Sequence, residues 1–293
     1  MNVGVLYSRI RRDEKLLLGE LRERGHEVTK ADVRKLSFGL EAPPAALADC
    51  DVVLDRCLAT SRSVYATRLL EAAGVPVVNS ADTAETCADK VKNSIALSAA
   101  GVPTPRTEVA FTVESALEVI ESFGYPCVLK PVVGSWGRLM AKIDSRDAAE
   151  AVLEHKATLG HYEHKVFYVQ EFVEKPGRDL RVVAVDGEPV AAMTRSSDHW
   201  ITNAARGGES MPYPLSGELK DIVSATSKVF GGGALAVDLL ESERGLLINE
   251  INCSMEFKES MKAIDCDIPA RLLDYTIRQA EEPEEVTQSK CLV

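Results

Sequence analysis

No uninterrupted apolar run in the 293-residue chain approaches the roughly 18 residues that a helical membrane span needs. Nor does a cationic leader precede an apolar region, because Met1-Asn2-Val3-Gly4-Val5-Leu6-Tyr7 reads as a short strand. Export and membrane insertion are not expected; a cytoplasmic location is. The seven cysteines include no C-x-x-C pair, a pattern that suits reduced thiols better than a disulfide framework or structural zinc. Cys291 is third from the end and does not meet the C-a-a-X lipidation pattern. The five histidines, His26, His155, His161, His164 and His199, show no metal-ligand spacing. Positive charge is short as well: 34 Lys and Arg against 45 Asp and Glu leave a formal net charge of −11. Phosphate contacts need local cations, so a bulk affinity for nucleic acid is not expected, although a negative chain can still carry a local basic docking face. G-K-[ST] and G-x-G-x-x-G are both missing, which excludes a Walker A loop and a Rossmann fingerprint.

What is present is ordinary for a globular protein, with 45% hydrophobic and 27% charged residues, and the length suits two or three compact units. Residues 3–7, 52–54 and 75–79 read as short apolar strands. Helical stretches at 13–24 and 61–73, stopped by Gly25 and Gly74, separate them. That alternation predicts a parallel α/β unit. A helical stretch over about 83–100 follows, then a helix over 114–123, strands over 127–130 and 139–143, and a capped helix over 145–159. Asp186-Gly187, between apolar runs at 180–185 and 189–193, is a hairpin signal. A strand pair at 234–240 and 245–251 and a helix over 268–280 complete the pattern. The acidic tail from 281 is expected to be mobile.

Four segments share a chemical theme. Lys130 ends an apolar strand and leads into Gly134-Ser135-Trp136-Gly137-Arg138, where glycine lets backbone approach a phosphate and lysine supplies compact charge. Asp238 precedes Glu250 and Asn252, whose period-two spacing puts both on one strand face; three such oxygen donors suit a hard cation and leave room for phosphate. Gln170-Glu171-Phe172-Val173-Glu174 ends a strand with groups that can meet an adenine edge and sandwich its ring. Finally, Arg178-Asp179-Leu180-Arg181, Arg195 and the glycine-bearing run around Trp200–Gly208 suit anion binding.

In order and spacing these segments resemble the ATP-grasp superfamily, its RimK-like branch, and within it the LysX family of α-aminoadipate–carrier protein ligases. Gly134–Arg138, His199-Trp200-Ile201-Thr202-Asn203 and Met255-Glu256-Phe257-Lys258 are the most specific matches, and Tyr7, Arg9-Ile10-Arg11 and Arg56-Cys57 add to them. The resemblance spans about residues 1–280. It implies an α/β fold, α+β in the ATP-grasp part: a parallel pre-ATP-grasp domain (1–86), a central subdomain (87–173), a C-terminal subdomain with the metal site (174–282), and a tail (283–293). It also implies roles. Lys90 and Lys130 would contact nucleotide phosphates, with Gly134, Ser135, Trp136, Gly137, Arg138, Leu139 and Met140 closing over them. Gln170, Glu171, Phe172, Val173, Asp179, Arg181 and Asn203 would hold ATP, and Asp238, Glu250 and Asn252 two magnesium ions. Arg195, Ala204, Ala205, Glu256, Phe257, Lys258, Glu259 and Ser260 would surround the amino-acid substrate, with Arg195 stabilising the oxyanion of the tetrahedral intermediate. The other implied partner is a small acidic carrier protein, for which Arg9, Arg11, Arg12, Arg56 and Arg62 are candidate docking groups; a homo-oligomer is also expected. The chain departs from the pattern at Ala204, Cys253 and Glu259, where threonine, histidine and asparagine are expected. Three alternatives stay open: a glutamate ligase serving arginine synthesis or both pathways, a ligase acting on another protein tail, and a non-catalytic nucleotide-binding scaffold. Retention of both lysines and all three metal ligands argues against the last.

Overall fold

The computed structural model describes residues 1–134, 137–160, 165–202, 209–263 and 266–281, without the side chains of Glu259, Lys262 and Ala263. Its first unit is a parallel sheet in the order β2-β1-β3-β4, built from β1 (Asn2–Tyr7), β2 (Glu27–Asp32), β3 (Val52–Arg56) and β4 (Val77–Val78). Helices α1 (Arg12–Glu23) and α2 (Thr60–Ala72) make the crossovers. Both faces of this sheet are covered, so its strands are apolar on both sides. Val3, Val5, Val52 and Leu54 pack with Leu17, Leu18 and Leu21 of α1, while Leu6, Val53 and Val77 pack with Leu70 of α2. Gly4 is required by close approach: a Cβ there would lie 3.0 Å from both Cys50 Sγ and Val53 Cγ2.

The stretch expected as one helix over 83–100 is two, α3 (Ala81–Ala88) and α4 (Lys90–Ala99). Asp89 breaks it by adopting extended backbone and accepting from the amides of Val91 (2.8 Å) and Lys92 (3.1 Å). An aspartate satisfying free amides at a helix start is worth about 1 kcal/mol, and here it sets the direction in which Lys90 leaves α4. A second, antiparallel sheet follows in the order β5-β8-β6-β7: β5 (Thr107–Ala110), β6 (Cys127–Lys130), β7 (Ala141–Ile143) and β8 (Phe167–Glu171). Helices α5 (Val113–Phe123) and α6 (Arg146–Leu159) cover one face through Ile120, Leu153 and Phe167. The strand expected from 139 starts at Ala141, because Leu139 takes φ 58° and cannot continue a ladder.

The third sheet, in the order β11-β10-β9-β12-β13, is antiparallel throughout: β9 (Arg178–Val185), β10 (Glu188–Ser196), β11 (Glu209–Pro212), β12 (Ala234–Ser242) and β13 (Gly245–Asn252). Asp186 (φ 55°) and Gly187 (φ 77°) turn β9 into β10, the two positive φ values that an Asp-Gly hairpin turn requires. One face packs on α7 (Gly217–Val229) through Val182, Leu235 and Val223. The other joins the parallel sheet in a common core, where Val183 and Ala236 meet α9 (Ile268–Glu281) and α1. A short helix, α8 (Lys258–Ala263), lies between β13 and α9. Asn79, after β4, staples the two sheets: its amide donates to the carbonyls of Ala234 (2.9 Å) and Cys253 (2.8 Å), and its Oδ1 accepts from Ala234 N at 2.6 Å. Among the described residues no helix is long and apolar enough to cross a membrane.

Candidate active site

The three sheets enclose a cavity of about 830 Å³. Strand ends deliver most of its chemistry. Lys130, the last residue of β6, is 4% exposed and donates to Asn249 Oδ1 at 2.9 Å. Burial pushes its amino group down to about 8, with Glu250 acting in the opposite direction. Lys90, in the first turn of α4, reaches the loop after β6: its Nζ donates to the Gly134 carbonyl (2.9 Å) and to Glu250 Oε1 (3.0 Å). The loop and Glu250 are thus tied by one cation.

Cross-strand pairing lines up the other charges. Arg195 on β10 stands opposite Asp179 on β9, Arg181 on β9 opposite Asp238 on β12, and Asp238 opposite Glu250 on β13. The arginine–aspartate contacts are bidentate: Arg195 to Asp179 at 2.6 and 2.9 Å, Arg181 to Asp238 at 2.8 and 2.9 Å. Arg195 also lies 3.2 Å from Asp238. Burial alone would raise the Asp238 carboxyl; the charges of Arg181 and Arg195 outweigh it and keep the group below the usual carboxylate range. The register shifts between Asp238 and Leu239, which pair with Glu250 and Ile248, so Asn249 is the extra residue of a bulge. A bulge re-aims side chains, and Asn249, Glu250 and Asn252 all line the cavity.

Two features describe what could bind. Arg11, Lys130, Lys175, Arg181, Arg195 and Lys258 line the cavity, with Lys90 bonded to Glu250 beside it, against the carboxylates of Glu171, Asp179, Asp238, Glu250 and Glu256. This small excess of cations suits a polyanion. Beside it Phe172, Trp200, Met140, Leu240 and Val128 form an apolar stretch, the Phe172 and Trp200 rings 6.4 Å apart, that suits a flat base. A metal ion would be held by Asp238, Glu250 and Asn252. Among the described residues no group of three or more His, Cys, Asp and Glu could hold one. Two carboxylates and an amide on neighbouring strands instead fit a hard cation that takes its remaining oxygens from phosphate and water.

The residues expected at the site divide clearly. Lys130, Gly137, Met140, Gln170, Glu171, Phe172, Val173, Asp179, Arg181, Arg195, Asp238, Glu250, Asn252, Glu256 and Lys258 all line the cavity. Phe257 and Ser260 do not. Phe257 is a core residue, its ring 5.5 Å from the Arg56 guanidinium, and Ser260 packs its hydroxyl on Met193. Leu139 is 68% exposed and Arg138 is also exposed, both off the cavity wall. Ser135, Trp136, Asn203, Ala204, Ala205 and the Glu259 side chain lie outside the described residues. The docking expectation needs correction at two positions. Arg56 is 2% exposed, bonded to Glu14 (3.2 Å) and the Met255 carbonyl (2.9 Å), and Arg11 is tied to Glu14 and Glu256. Sequence reasoning missed Asn249, and it covered Lys175 only as part of the 170–181 stretch expected along the adenosine site, without singling it out. Lys175 donates to Thr202 at 2.7 Å, and burial lowers its amino group; its place two residues before the Gly177 turn was the available clue.

Two antiparallel sheets gripping a cation-rich, base-wide cleft, with a parallel α/β unit behind, define an ATP-grasp ligase. The RimK-like ATP-grasp domain model matches residues 87–276, and the LysX preATP-grasp domain model matches residues 3–86. The alpha-aminoadipate–LysW ligase LysX of Sulfurisphaera tokodaii is 33% identical over 285 residues, covering 96% of this chain and 99% of that protein. The glutamate–LysW ligase ArgX of Sulfolobus acidocaldarius is 31% identical over 280 residues, covering 94% and 98%. A RimK domain ATP-grasp protein from Sphaerobacter thermophilus has a solved structure with TM-score 0.77 and 28% identity, covering 94% of this chain and all of that one. The chain belongs to the RimK-like ATP-grasp family and carries a LysX-type preATP-grasp domain.

Proposed function

We propose that this ligase joins the amino group of α-aminoadipate to the C-terminal glutamate carboxylate of a small acidic, LysW-like carrier protein, in lysine biosynthesis. The observation that carries the reading is the row of paired charges running from Arg195 to Glu250, with Lys90 and Lys130 above it. ATP transfers its γ-phosphoryl group to the carrier carboxylate, giving an acyl phosphate. The amine of the amino acid attacks the acyl carbon, and phosphate leaves with its bonding pair as the amide forms. Lys90 and Lys130 hold phosphate oxygens, and Arg195 offers N–H groups to the oxyanion of the tetrahedral intermediate. Two magnesium ions held by Asp238, Glu250 and Asn252 would offset charge on the phosphates. The working division of the chain is 1–86, 87–173 and 174–282, with the carrier docking on the exposed arginines Arg9, Arg12 and Arg62.

Glutamate, serving arginine synthesis, is the rival substrate, since relatives with either printed specificity share 33% and 31% identity with this chain. The two amino acids differ by one methylene, worth about 1–3 kcal/mol of discrimination. The test is incubation with ATP, magnesium, a LysW-type carrier and each amino acid in turn, read by intact mass of the carrier. An aminoadipate adduct formed faster than a glutamate adduct supports the reading; the reverse assigns glutamate. No adduct with either, and no ADP, would overturn it.

A further inference from the structure

We infer that Asp179 is a positioning residue that holds Arg195 and Thr202 in one frame, rather than a ligand of the nucleotide. The inference rests on the ligase reading above and deepens it. Asp179 is 7% exposed, and both of its oxygens are engaged. Oδ1 accepts from Arg195 Nε at 2.6 Å; Oδ2 accepts from Arg195 Nη2 at 2.9 Å and from the Thr202 hydroxyl at 2.6 Å. A bidentate fork fixes the plane of the guanidinium and not merely its place. Asp238 takes a further contact from Arg195 Nη2 at 3.2 Å. Two of the three guanidinium nitrogens are therefore committed to carboxylates. Arg195 lines the cavity, so the fork sets the plane in which its guanidinium meets that space.

Thr202 extends the frame. It is buried, accepts from Lys175 Nζ at 2.7 Å and donates to Asp179. It also directly precedes Asn203, expected at ATP, and Ala204 and Ala205, expected around the amino acid. One carboxylate therefore holds both the Arg195 guanidinium and the Thr202 hydroxyl. Positioning of this kind acts on turnover more than on nucleotide affinity.

The test is a double-mutant cycle of Asp179→Asn and Arg195→Gln. D179N alone is expected to lower kcat by about a hundredfold while the Kd for ADP changes less than about threefold. In the R195Q background, D179N should change kcat by less than about threefold, because the group it acts through is already gone. A tenfold or greater rise in the ADP Kd with kcat preserved, or additive losses of kcat, would overturn the inference. The side-chain Nε–H resonance of Arg195 supplies a readout that needs no activity. It should be protected from exchange in wild type and lose protection in D179N; protection retained in D179N also overturns the inference. An enzyme that makes no amide with any carrier but shows that loss condemns the ligase reading and leaves Asp179 in its role. T202V keeps the Asp179–Arg195 fork, so it should retain the protected resonance and raise KM for the amino acid rather than for ATP.

Discussion

Nucleotide affinity should depend on the protonation of Lys130. Its amino group is buried, donates to an amide oxygen of Asn249, and is pushed down to about 8 by burial. Glu250, which would favour the charged form, already shares its Oε1 with Lys90. With a nucleotide bound as proposed, phosphate oxygens would supply the counter-charge that Lys130 lacks, and the complex should retain the proton to higher pH than the free protein does. The sign follows: as pH rises through about 8 the free protein loses the cation, and binding must take up a proton to restore it. From about pH 7 to about pH 9 the charged fraction falls about tenfold, so the ADP Kd should rise about tenfold, or about 1.4 kcal/mol. Isothermal titration of ADP, with and without magnesium chloride and in buffers of different ionisation enthalpy, reads both the affinity and the proton uptake. Lys130→Gln should bind more weakly at neutral pH and lose the slope. A wild-type Kd that is flat over this range, or a slope of equal size in K130Q, would refute the argument.

Asn79→Ala should destabilise the fold by about 2–4 kcal/mol in urea denaturation, because the Ala234 and Cys253 carbonyls lose their buried donor. Gly233→Ala puts a Cβ 2.6 Å from Asn79 Oδ1 at φ +72°, so it should also destabilise; the double variant should lose less than the sum, and strict additivity would contradict the contact. Glu250→Gln should cut amide formation by about a hundredfold or more while leaving metal-free ADP binding near wild type. Intact amide formation would remove Glu250 from the metal set. Joint reversal of Arg9, Arg12 and Arg62 to glutamate should raise KM for an acidic carrier and flatten its salt dependence, and unchanged carrier kinetics would clear that face of a docking role.

Much of this protein is readable from its residues because local chemistry and global fold agree there. Apolar strands alternating with amphipathic helices announce a parallel sheet, since only such a sheet needs both faces covered. Asp186-Gly187 announces its hairpin through the φ values it can adopt. Two-residue spacing places Glu250 and Asn252 on one face before any coordinate is known. Strands β2 and β11 escape because edge strands mix exposed and part-buried residues and carry no clean alternation. β5 and α7 also escape, although Ser216 caps α7 by accepting from Leu219 N. Asp89 was a readable break, an N-cap aspartate in the middle of a helical run.

Sequence by itself determined the class of fold, Lys130 at the end of its strand, and the acidic strand positions that line the cavity. Tertiary structure alone decided which charges meet. Arg56 and Phe257 look like surface and substrate residues in one dimension; the core made between α1, β3 and the segment after β13 buries both. The bulge that turns Asn249 toward Lys130 depends on a register shift against β12, which no local propensity specifies. Asp179 becomes the clamp of Arg195 only because β9 and β10 pair at that register. The physical reason is common to all three: a side chain's own chemistry is fixed by its type, while its partner and its dielectric surroundings are fixed by residues far along the chain that folding brings against it.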